Sequence, residues 1–405
     1  NENHRMTLDP NVLDWFNLAL RWGHVITGIA WIGASFYFMW LDSHLEKPDP
    51  PRKGVEGELW MVHSGGFYVV EKIHVAPEAL PTTLHWFKWE AGFTWITGFL
   101  LLIVVYYLGS ESYLIDPEVL DIDRPTGIAI GIGSLVVAWA IYDFLYVSPL
   151  AQKGVVSPLI GIALLCIGAW GLTKLLSAHA AYMHVGAMIG TVMVANVWMR
   201  IIPAQRALVN ARKTGAEPDP TLGKRAKQRS VHNNYLTLPV VFVMLSGHYP
   251  ATYGHEHSWA VLLALFAVGA LVRHWFNLRN AGKSDWWPVP ASVAMFLALM
   301  YIVMPPVSMS GSAATDMPAV AFADVQDIVA KRCVMCHADR PANPAFDAAP
   351  KNVKLETPEQ IRRFRDRIWS SAVASNAMPL GNATGMTPEE RETVEAWIRQ
   401  GAKIN

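Results

Sequence analysis

Apolar residues along the chain form long runs that polar loops separate. A helix needs about 20 apolar residues to cross the hydrocarbon layer of a bilayer, which is roughly 30 Å thick. Eight runs have about that length or more, over residues 13–42, 86–108, 126–148, 157–177, 179–202, 231–248, 258–278 and 287–304. The sequence therefore predicts an all-α, polytopic membrane protein with eight transmembrane helices.

The distribution of basic residues between the loops predicts the orientation of these helices. The loops on one side carry fourteen Lys and Arg residues, whereas the opposite loops before residue 305 carry Arg5 and Arg124. The basic loops cover residues 43–85, 149–156, 203–230 and 279–286. Because basic loops stay in the cytoplasm, we expect a bacterial inner-membrane protein whose N- and C-termini both lie in the periplasm.

The loop over residues 43–85 is too long to be a simple connection. Within it, β-branched and aromatic residues flank the sequence Ser64-Gly65-Gly66. This pattern is typical of a β-hairpin with a tight turn. We therefore expect a small cytoplasmic cap built on a hairpin.

Charged residues make up 16% of the chain, well below the roughly 25% of soluble domains. They are unevenly spread, because residues 321–405 carry 23 of the 66. The chain is thus predicted to consist of a membrane part (1–304), a linker rich in Pro, Ser, Gly and Ala (305–320), and a soluble part (321–405). Its net charge of zero offers no surface suited to a polyanion, so we expect no nucleic-acid partner.

Cys333 and Cys336 belong to the sequence Cys-Val-Met-Cys-His, which ends at His337. This is the C-x-x-C-H pattern of covalent c-type haem attachment. The two thiols bond the haem, and the adjacent imidazole becomes the proximal iron ligand. A zinc site or a redox pair is the alternative. The haem interpretation is favoured because the histidine follows directly and a small cytochrome follows the motif.

Three helices are predicted around this motif. One covers residues 324–332, and the others start at Thr357 and Thr387, each with Pro in its first turn and a capping-box residue. The sixth iron ligand should be a thioether. Met378, which precedes a proline in a loop, is favoured over Met386, which is expected to pack at a helix start. The soluble part is therefore predicted to be a small class I-like cytochrome c domain with one covalent haem c.

His24 and His184 lie deep within apolar runs. Ionisable side chains in such positions are costly and commonly functional. Three interpretations stay open: ligands of one or more b-type haems, polar contacts in a substrate cavity, or hydrogen bonds between helices. Small residues near them, among them Gly28 and Gly186, would give a macrocycle room to enter.

Five stretches of the chain carry a family resemblance. They are Arg21-Trp-Gly-His-Val-Ile-Thr-Gly-Ile-Ala-Trp-Ile-Gly-Ala-Ser-Phe36, His63-Ser-Gly-Gly-Phe-Tyr68, Leu84-His-Trp-Phe-Lys-Trp-Glu-Ala91, His184-Val-Gly-Ala-Met-Ile-Gly-Thr-Val-Met-Val-Ala-Asn196 and His232-Asn-Asn-Tyr-Leu-Thr-Leu-Pro239. Together they resemble the bacterial membrane-bound urate oxidases, also called urate hydroxylases, over nearly the whole chain including the fused cytochrome. A shorter likeness of His24 and of the pair His85 and Lys88 to haem-binding membrane protoporphyrinogen oxidases favours haem b at His24.

The resemblance implies that urate is oxidised to 5-hydroxyisourate in purine breakdown. Electrons would pass through haem to the fused cytochrome c instead of directly to dioxygen. From there they would reach a soluble cytochrome c or a terminal oxidase of the respiratory chain. Whether the chain forms homo-oligomers stays open.

The resemblance gives no catalytic residues, so these are inferred from chemistry. Urate is a planar monoanion at neutral pH, and its oxidation needs a proton acceptor and hydrogen-bond donors. His63, His85, Lys88 and Glu90 offer these groups on the cytoplasmic side, where we expect the site. The alternative functions are a dehydrogenase of quinol or another small molecule with the same cytochrome outlet, and a membrane anchor or transporter with a passive cytochrome.

Overall fold

In the computed structural model the chain is mostly helical. The structure describes residues 10–73, 80–109, 111–303, 319–344, 346 and 348–404. The predicted linker at residues 305–320 therefore lies largely outside the described residues.

The first part of the chain is a helical bundle with one β-hairpin. Its elements are α1 (Pro10–Ser43), β1 (Val55–His63), β2 (Gly66–Ile73), α2 (Trp89–Leu102), α3 (Glu111–Leu114), α4 (Arg124–Val147), α5 (Val156–Leu172), α6 (Ala178–Ala195), α7 (Ile202–Lys213), α8 (Pro220–Ser246), α9 (Pro250–Tyr253), α10 (Ser258–Asn280) and α11 (Pro288–Val303). The π-helical turns Ile103–Tyr107 and Asn196–Ile201 extend α2 and join α6 to α7. The second part contains α12 (Phe322–Arg332), α13 (Pro358–Arg363), α14 (Arg365–Ile368), the π-helical turn Trp369–Val373 and α15 (Pro388–Arg399).

Helices cover each of the eight apolar runs, but they differ in length and polarity. Within the described ranges, five helices are long and apolar enough to cross a membrane: Val12–Ser43, Trp89–Tyr107, Arg124–Val147, Ala178–Lys213 and Ser258–Asn280. Helices α5 and α11 are apolar but have only 17 and 16 residues. Helix α8 starts in a basic sequence that includes Lys224 and Lys227. The structure thus has five candidate spans, and the number eight stays a prediction.

Helix α6 forms much of the centre of the bundle, where it packs against α2, α4, α5 and α8. Its side chains Tyr182 and Val185 are fully buried in the main apolar core. His184 and, just beyond the helix, Asn196 are buried as completely. Buried polar groups need hydrogen-bond partners, and here neighbouring helices can supply them.

Tyrosines supply these partners for four histidines. The tyrosine hydroxyl lies within 2.7 to 2.9 Å of a histidine ring nitrogen in the pairs Tyr106–His179, Tyr107–His184, Tyr142–His232 and Tyr235–His274. Two of the pairs join the π-helical turn at the end of α2 to α6, and the other two join one α-helix to another. The polar groups therefore help to determine which helices lie side by side.

An antiparallel hairpin forms where the sequence predicts one. His63 of β1 pairs with Gly66 of β2, and both turn residues, Ser64 and Gly65, have positive φ angles of 50° and 75°. A type I′ turn requires this conformation.

Asp42, near the end of α1, connects the hairpin to the bundle. Its carboxylate accepts hydrogen bonds from Lys72 of β2 and from Lys227 of α8, the latter at 2.7 Å. One side chain therefore ties β2 to two helices at the end of the bundle that carries the basic loops. We call this end the basic end.

The second part of the chain has an apolar core of its own. Val325 of α12, Ile361 of α13, and Val394 and Trp397 of α15 are buried together. Both predicted capping boxes are present, at the first residues of α13 and α15. The local sequence therefore sets where these helices begin.

We expect the substitution Thr387→Ala to loosen α15. The Thr387 hydroxyl accepts a hydrogen bond from the Glu390 backbone N–H at 3.3 Å. Loss of such a cap costs about 1 kcal/mol, so amides that open with α15 should exchange about fivefold faster. Hydrogen-exchange mass spectrometry of the full chain measures this. Thr393→Ala is the control, because the Thr393 hydroxyl bonds back only to Glu389 on an exposed face. Equal acceleration in both variants would contradict the capping role.

Candidate functional site

The residues from Cys333 to His337 form a helical turn that follows α12. The backbone N–H groups of Cys336 and His337 both donate to the Cys333 carbonyl, at 3.1 and 2.9 Å. Nδ1 of His337 lies 2.8 Å from the Val353 carbonyl oxygen. Because a carbonyl only accepts, Nδ1 carries the proton and Nε2 keeps the lone pair that a metal ligand needs.

Burial controls the charge of these three side chains. It raises the pKa of the Cys333 thiol to about 12 and also raises the pKa of Cys336. It lowers the pKa of His337, against the opposing effect of the Val353 hydrogen bond. All three groups are therefore neutral near pH 7. Neutral thiols are poor exchange nucleophiles, which disfavours the alternative of a redox pair.

The zinc alternative needs further ligands beside the two cysteines and His337. Structural zinc sites use four side chains of the Cys, His, Asp or Glu types. Among the residues that the structure describes, no three such side chains are grouped closely enough to hold a metal ion. The local arrangement therefore fits the residues of a haem attachment loop better than those of a zinc site.

Met378 and Met386 have different surroundings. Met386 is 2% exposed in the core of the second part, and its backbone N–H donates to the Asn382 side chain at 2.9 Å. Met378 is half-buried at the edge of that core. Arg391 donates to the carbonyls of Met378 and Ala372 at 2.8 and 2.6 Å, which holds the loop in place. Met386 thus packs in the core as predicted, and the role of Met378 as an iron ligand stays a prediction.

The second part packs against the end of the bundle opposite to the basic end. Asn376 donates from its backbone N–H to the Gly254 carbonyl at 3.0 Å, and the Asn382 side chain donates to Glu118. Ala377 is buried within the core of the bundle itself. The two parts therefore share an interface.

The cysteine loop lies close to this interface. The rings of Tyr113 and Phe346 are 6.5 Å apart between centroids. Burial raises the pKa of Tyr113, and the nearby Cys336 adds to this effect. The loop from Cys333 to His337 therefore neighbours the bundle.

His24 of α1 packs against α2. Its Nδ1 lies 3.0 Å from the Thr94 carbonyl oxygen and 3.1 Å from Oγ1 of Thr97. Gly98 allows this approach, because a Cβ there would lie 2.9 Å from the imidazole. Nε2 has no hydrogen bond to any residue that the structure describes. The ring also lines a cavity of about 120 Å³ between α1, α2, α4, α6 and α8.

His184 has a different environment from His24. Its Nδ1 lies 2.8 Å from the Ala180 carbonyl oxygen, and its Nε2 lies 2.9 Å from the Tyr107 hydroxyl. Both ring nitrogens are therefore engaged, and His184 does not line the cavity at His24. These contacts favour the interpretation of His184 as a hydrogen-bonding group between helices.

The cavity at His24 offers a ligand atom but too little space for a macrocycle. Its volume of about 120 Å³ is smaller than the roughly 150 Å³ of a cavity that binds benzene. A haem is several times larger than benzene. His24 is therefore a suitable ligand type for haem iron, but the cavity beside it is too small for a haem.

The four predicted catalytic residues are spread over the basic end. His63 is exposed at the hairpin turn, and His85 is exposed in the loop before α2. Lys88 and Glu90 are half-buried at the start of α2, where the Lys88 ammonium lies 5.1 Å from the Trp198 ring centroid. No side-chain hydrogen bond or ion pair joins any two of the four within the described ranges. The structure does not assemble them into one site.

A cleft of about 400 Å³ lies at the basic end, between the C-terminal ends of α1 and α10. It is lined by Phe36, Trp40, His44, Arg273, Phe276, Arg279 and Asn280. None of these residues is among the site residues predicted from the sequence. The signal available in the sequence is an arginine, Arg273, inside an apolar run.

Comparison with known proteins assigns the first part of the chain. A family model described as "Urate oxidase N-terminal" matches residues 10–304, which include α1 to α11. Searches of curated proteins and of solved structures found no match.

The matched family indicates an enzyme of the oxidoreductase class. The chain belongs to the urate oxidase N-terminal family, and urate is the substrate that this membership supports. The predicted relation to urate oxidases is thereby confirmed.

We expect the substitution Gly254→Ala to weaken the interface between the two parts. The new Cβ would lie 2.7 Å from Cβ of Ser375, and such overpacking costs about 1–3 kcal/mol. Hydrogen exchange in the turn Trp369–Val373 should therefore become about fivefold faster or more in the full chain. Gly223→Ala is the control, because a Cβ there meets no atom within 4 Å. Unchanged exchange in Gly254→Ala would mean that this contact does not hold the parts together.

Proposed function

We propose that the protein is a membrane-bound enzyme that oxidises urate to 5-hydroxyisourate and delivers the electrons to its own cytochrome c. Urate and water give 5-hydroxyisourate, two protons and two electrons. The electrons would continue to a soluble cytochrome c or a terminal oxidase of the respiratory chain. The reaction belongs to purine breakdown.

One observation carries this proposal. The part that belongs to the urate oxidase N-terminal family is in direct contact with the part that carries the C-x-x-C-H loop, through Gly254, Glu118 and Tyr113. A passive carrier on a tether would need no such interface. The contact supports an electron outlet that is built into the enzyme.

Cys333 and Cys336 would attach haem c, and His337 and Met378 would be its iron ligands. The neutral Nε2 of His337 and the held Met378 loop support these roles. When bound, the haem takes up and releases one electron at a time, and a methionine ligand raises its reduction potential. The apolar core around Trp397, against which Cys333 and Met378 pack, would keep water away from the haem.

The proposal places the protein in the bacterial inner membrane as eight helices. Five candidate spans support part of this arrangement. The basic loops at one end and the C-x-x-C-H part at the other support a cytoplasmic basic end and periplasmic termini. The shorter α5 and α11 would cross with the help of neighbouring helices.

A haem b in the bundle is a separate proposal from the haem c outlet. His24 would be its ligand, because its ring lines a cavity and only its Nδ1 has a hydrogen-bond partner among the described residues, whereas His184 has both nitrogens engaged. Binding would require the helices around the cavity to separate.

Proton transfer at the basic end is proposed for His63, His85 and Glu90, with Lys88 as a cationic group. The half-buried Lys88 and Glu90 are the better supported of the four, because the aromatic rings of Trp89 and Trp198 adjoin Lys88. An acceptor there would remove the protons that urate oxidation releases.

Oxidation of a quinol is the second candidate function. The largely apolar cavity at His24, which Trp31 and Phe99 also line, favours a hydrophobic reductant. Both candidates use the same cytochrome outlet, so the electron donor distinguishes them.

Anaerobic addition of urate to purified full-length protein tests the proposed function. We expect the reduced bands of the c-type haem to appear, with two haem centres reduced for each urate consumed. Reduction by a quinol and not by urate would support the alternative. Reduction by neither donor would leave the anchor or transporter function as the better account.

Met378→Ala tests the proposed iron ligand. We expect a lower haem reduction potential and slower electron delivery to an external cytochrome c, because a thioether ligand raises the potential. Met386→Leu is the control, since it conserves core volume. A lowered potential in Met386→Leu together with an unchanged one in Met378→Ala would reverse the assignment.

His24→Ala tests for the membrane haem. We expect acid–acetone extraction of the purified protein to release non-covalent haem b, and expect His24→Ala to release much less. His257→Ala is the control, because His257 is exposed outside the bundle. Absence of extractable haem from the unsubstituted protein would refute a haem b at this cavity.

A further inference from the structure

Arg273 of α10 is a buried cation that has no carboxylate partner in the part of the chain that the structure describes. The residue is 3% exposed, its Nε donates to Oδ1 of Asn234 at 2.9 Å, and its guanidinium carbon lies 3.9 Å from the Phe36 ring centroid. Its Nη2 is buried and has no hydrogen-bond partner among the described residues. An uncompensated buried charge is strongly unfavourable, so this position requires an explanation.

Arg229 shows how the same bundle satisfies a buried arginine. Arg229 is 4% exposed, and its Nη2 lies 3.1 Å from the carboxylate of Asp143. The rings of Tyr142 and Tyr146 cover the guanidinium group. Arg273 has the aromatic contact but no carboxylate within the described ranges.

The neighbours of Arg273 also have unused hydrogen-bonding atoms. Nδ2 of Asn234 and Oδ1 of Asn277 are buried without partners among the described residues, although Nδ2 of Asn277 donates to Oδ1 of Asn234 at 3.0 Å. Buried polar groups normally have partners. Two donor atoms, one of them Nη2 of Arg273 itself, and one acceptor atom are therefore unpaired within this cluster.

The cleft that Arg273 lines has the surfaces that a planar anion needs. Phe36, Trp40 and Phe276 offer aromatic faces, and Arg279 offers a second cation. Its volume of about 400 Å³ is within the usual range for small-molecule sites, roughly 300–1,000 Å³. Guanidinium groups bind planar, delocalised anions through paired hydrogen bonds. Urate at neutral pH is such an anion, and its edges carry both carbonyl oxygens and N–H groups.

We propose that this cleft is the substrate-binding site and that Arg273 neutralises the urate monoanion. The inference rests on the proposed function and adds to it the position and the charge partner of the substrate. Aromatic side chains would cover the ring of the purine, and Arg279 and Asn280, which also line the cleft, would add polar contacts.

This site is distinct from the region of Lys88 and Glu90. Phe38 of α1 contacts Phe87 next to Lys88, with ring centroids 4.8 Å apart. Phe36 and Phe38 are two residues apart and therefore point to different sides of a helix. The cleft thus lies on one side of α1 and the start of α2 on another, so the inference places substrate binding away from Lys88 and Glu90 and not at the site predicted there.

Helix α1 also connects the cleft with the cavity at His24. Twelve residues separate Phe36 from His24, which is about 18 Å at the rise of an α-helix. Substrate bound in the cleft would lie at the basic end, and the same helix leads from there toward the end that contacts the second part.

Arg273→Met and Arg273→Lys in the full-length protein test this site. For Arg273→Met we expect the KM for urate to rise about tenfold to a hundredfold, since a hydrogen-bonded charge pair is lost. Arg273→Lys keeps the positive charge but loses the paired N–H donors of the guanidinium group, so it should give a smaller rise in the KM for urate. Arg225→Gln is the control, because it removes one positive charge from an exposed position at the same end; its KM should stay within about twofold.

Thermal unfolding gives a second measurement that does not depend on turnover. Urate should raise the Tm of the unsubstituted protein and of Arg225→Gln, and it should not raise that of Arg273→Met. Without urate, Arg273→Met should be at least as stable as the unsubstituted protein, because it removes an unpaired buried charge. A variant that loses both stability and the urate effect would indicate a structural role and would overturn the proposal.

Further outcomes separate this inference from the proposed function. If the unsubstituted protein oxidises urate and Arg273→Met keeps its KM and its urate-induced Tm shift, the cleft is not the site. A KM increase in Lys88→Met alone would place binding at the start of α2 instead. An equal Tm shift with inorganic phosphate would identify a general anion site and would reject the purine. If the unsubstituted protein does not respond to urate at all, the proposed function itself fails.

Discussion

Every polar side chain buried in the helical bundle needs a partner inside the protein, because an unpaired polar group in an apolar interior is unfavourable. The bundle meets this constraint with contacts between helices, such as Tyr107 with His184 and Arg229 with Asp143. Each contact selects the neighbours of a helix, so the packing of the bundle depends on the set of pairs. At Arg273 and at His24 the pairing is incomplete. A cleft or a cavity lies at each of these positions.

Features that depend on nearby residues could be predicted from the sequence. The caps at Thr357 and Thr387 and the turn at Ser64 each involve atoms at most a few residues apart. The positions of the helices also follow from the apolar runs, although α5 ends at Leu172, five residues before the end of its run. The family could be recognised because its residues form long continuous stretches.

The candidate sites were harder to predict because they depend on helices distant in the sequence. The cleft combines the end of α1 with the end of α10, more than two hundred residues later. His24 and His184 look alike in sequence, as histidines among apolar and small residues. One has a ring nitrogen beside a cavity and the other is saturated by Ala180 and Tyr107. Only the packing distinguishes them.

The attachment of the hairpin has a consequence for how the basic end behaves in different solutions. Asp42 holds β2 and α8 through Lys72 and Lys227, and all three side chains are partly open to solvent. Dissolved ions screen attractions between such groups over roughly 8 Å at physiological ionic strength, whereas the apolar contacts within the bundle do not depend on them. The cap should therefore become more mobile as salt is added, while the helices beneath it keep their arrangement.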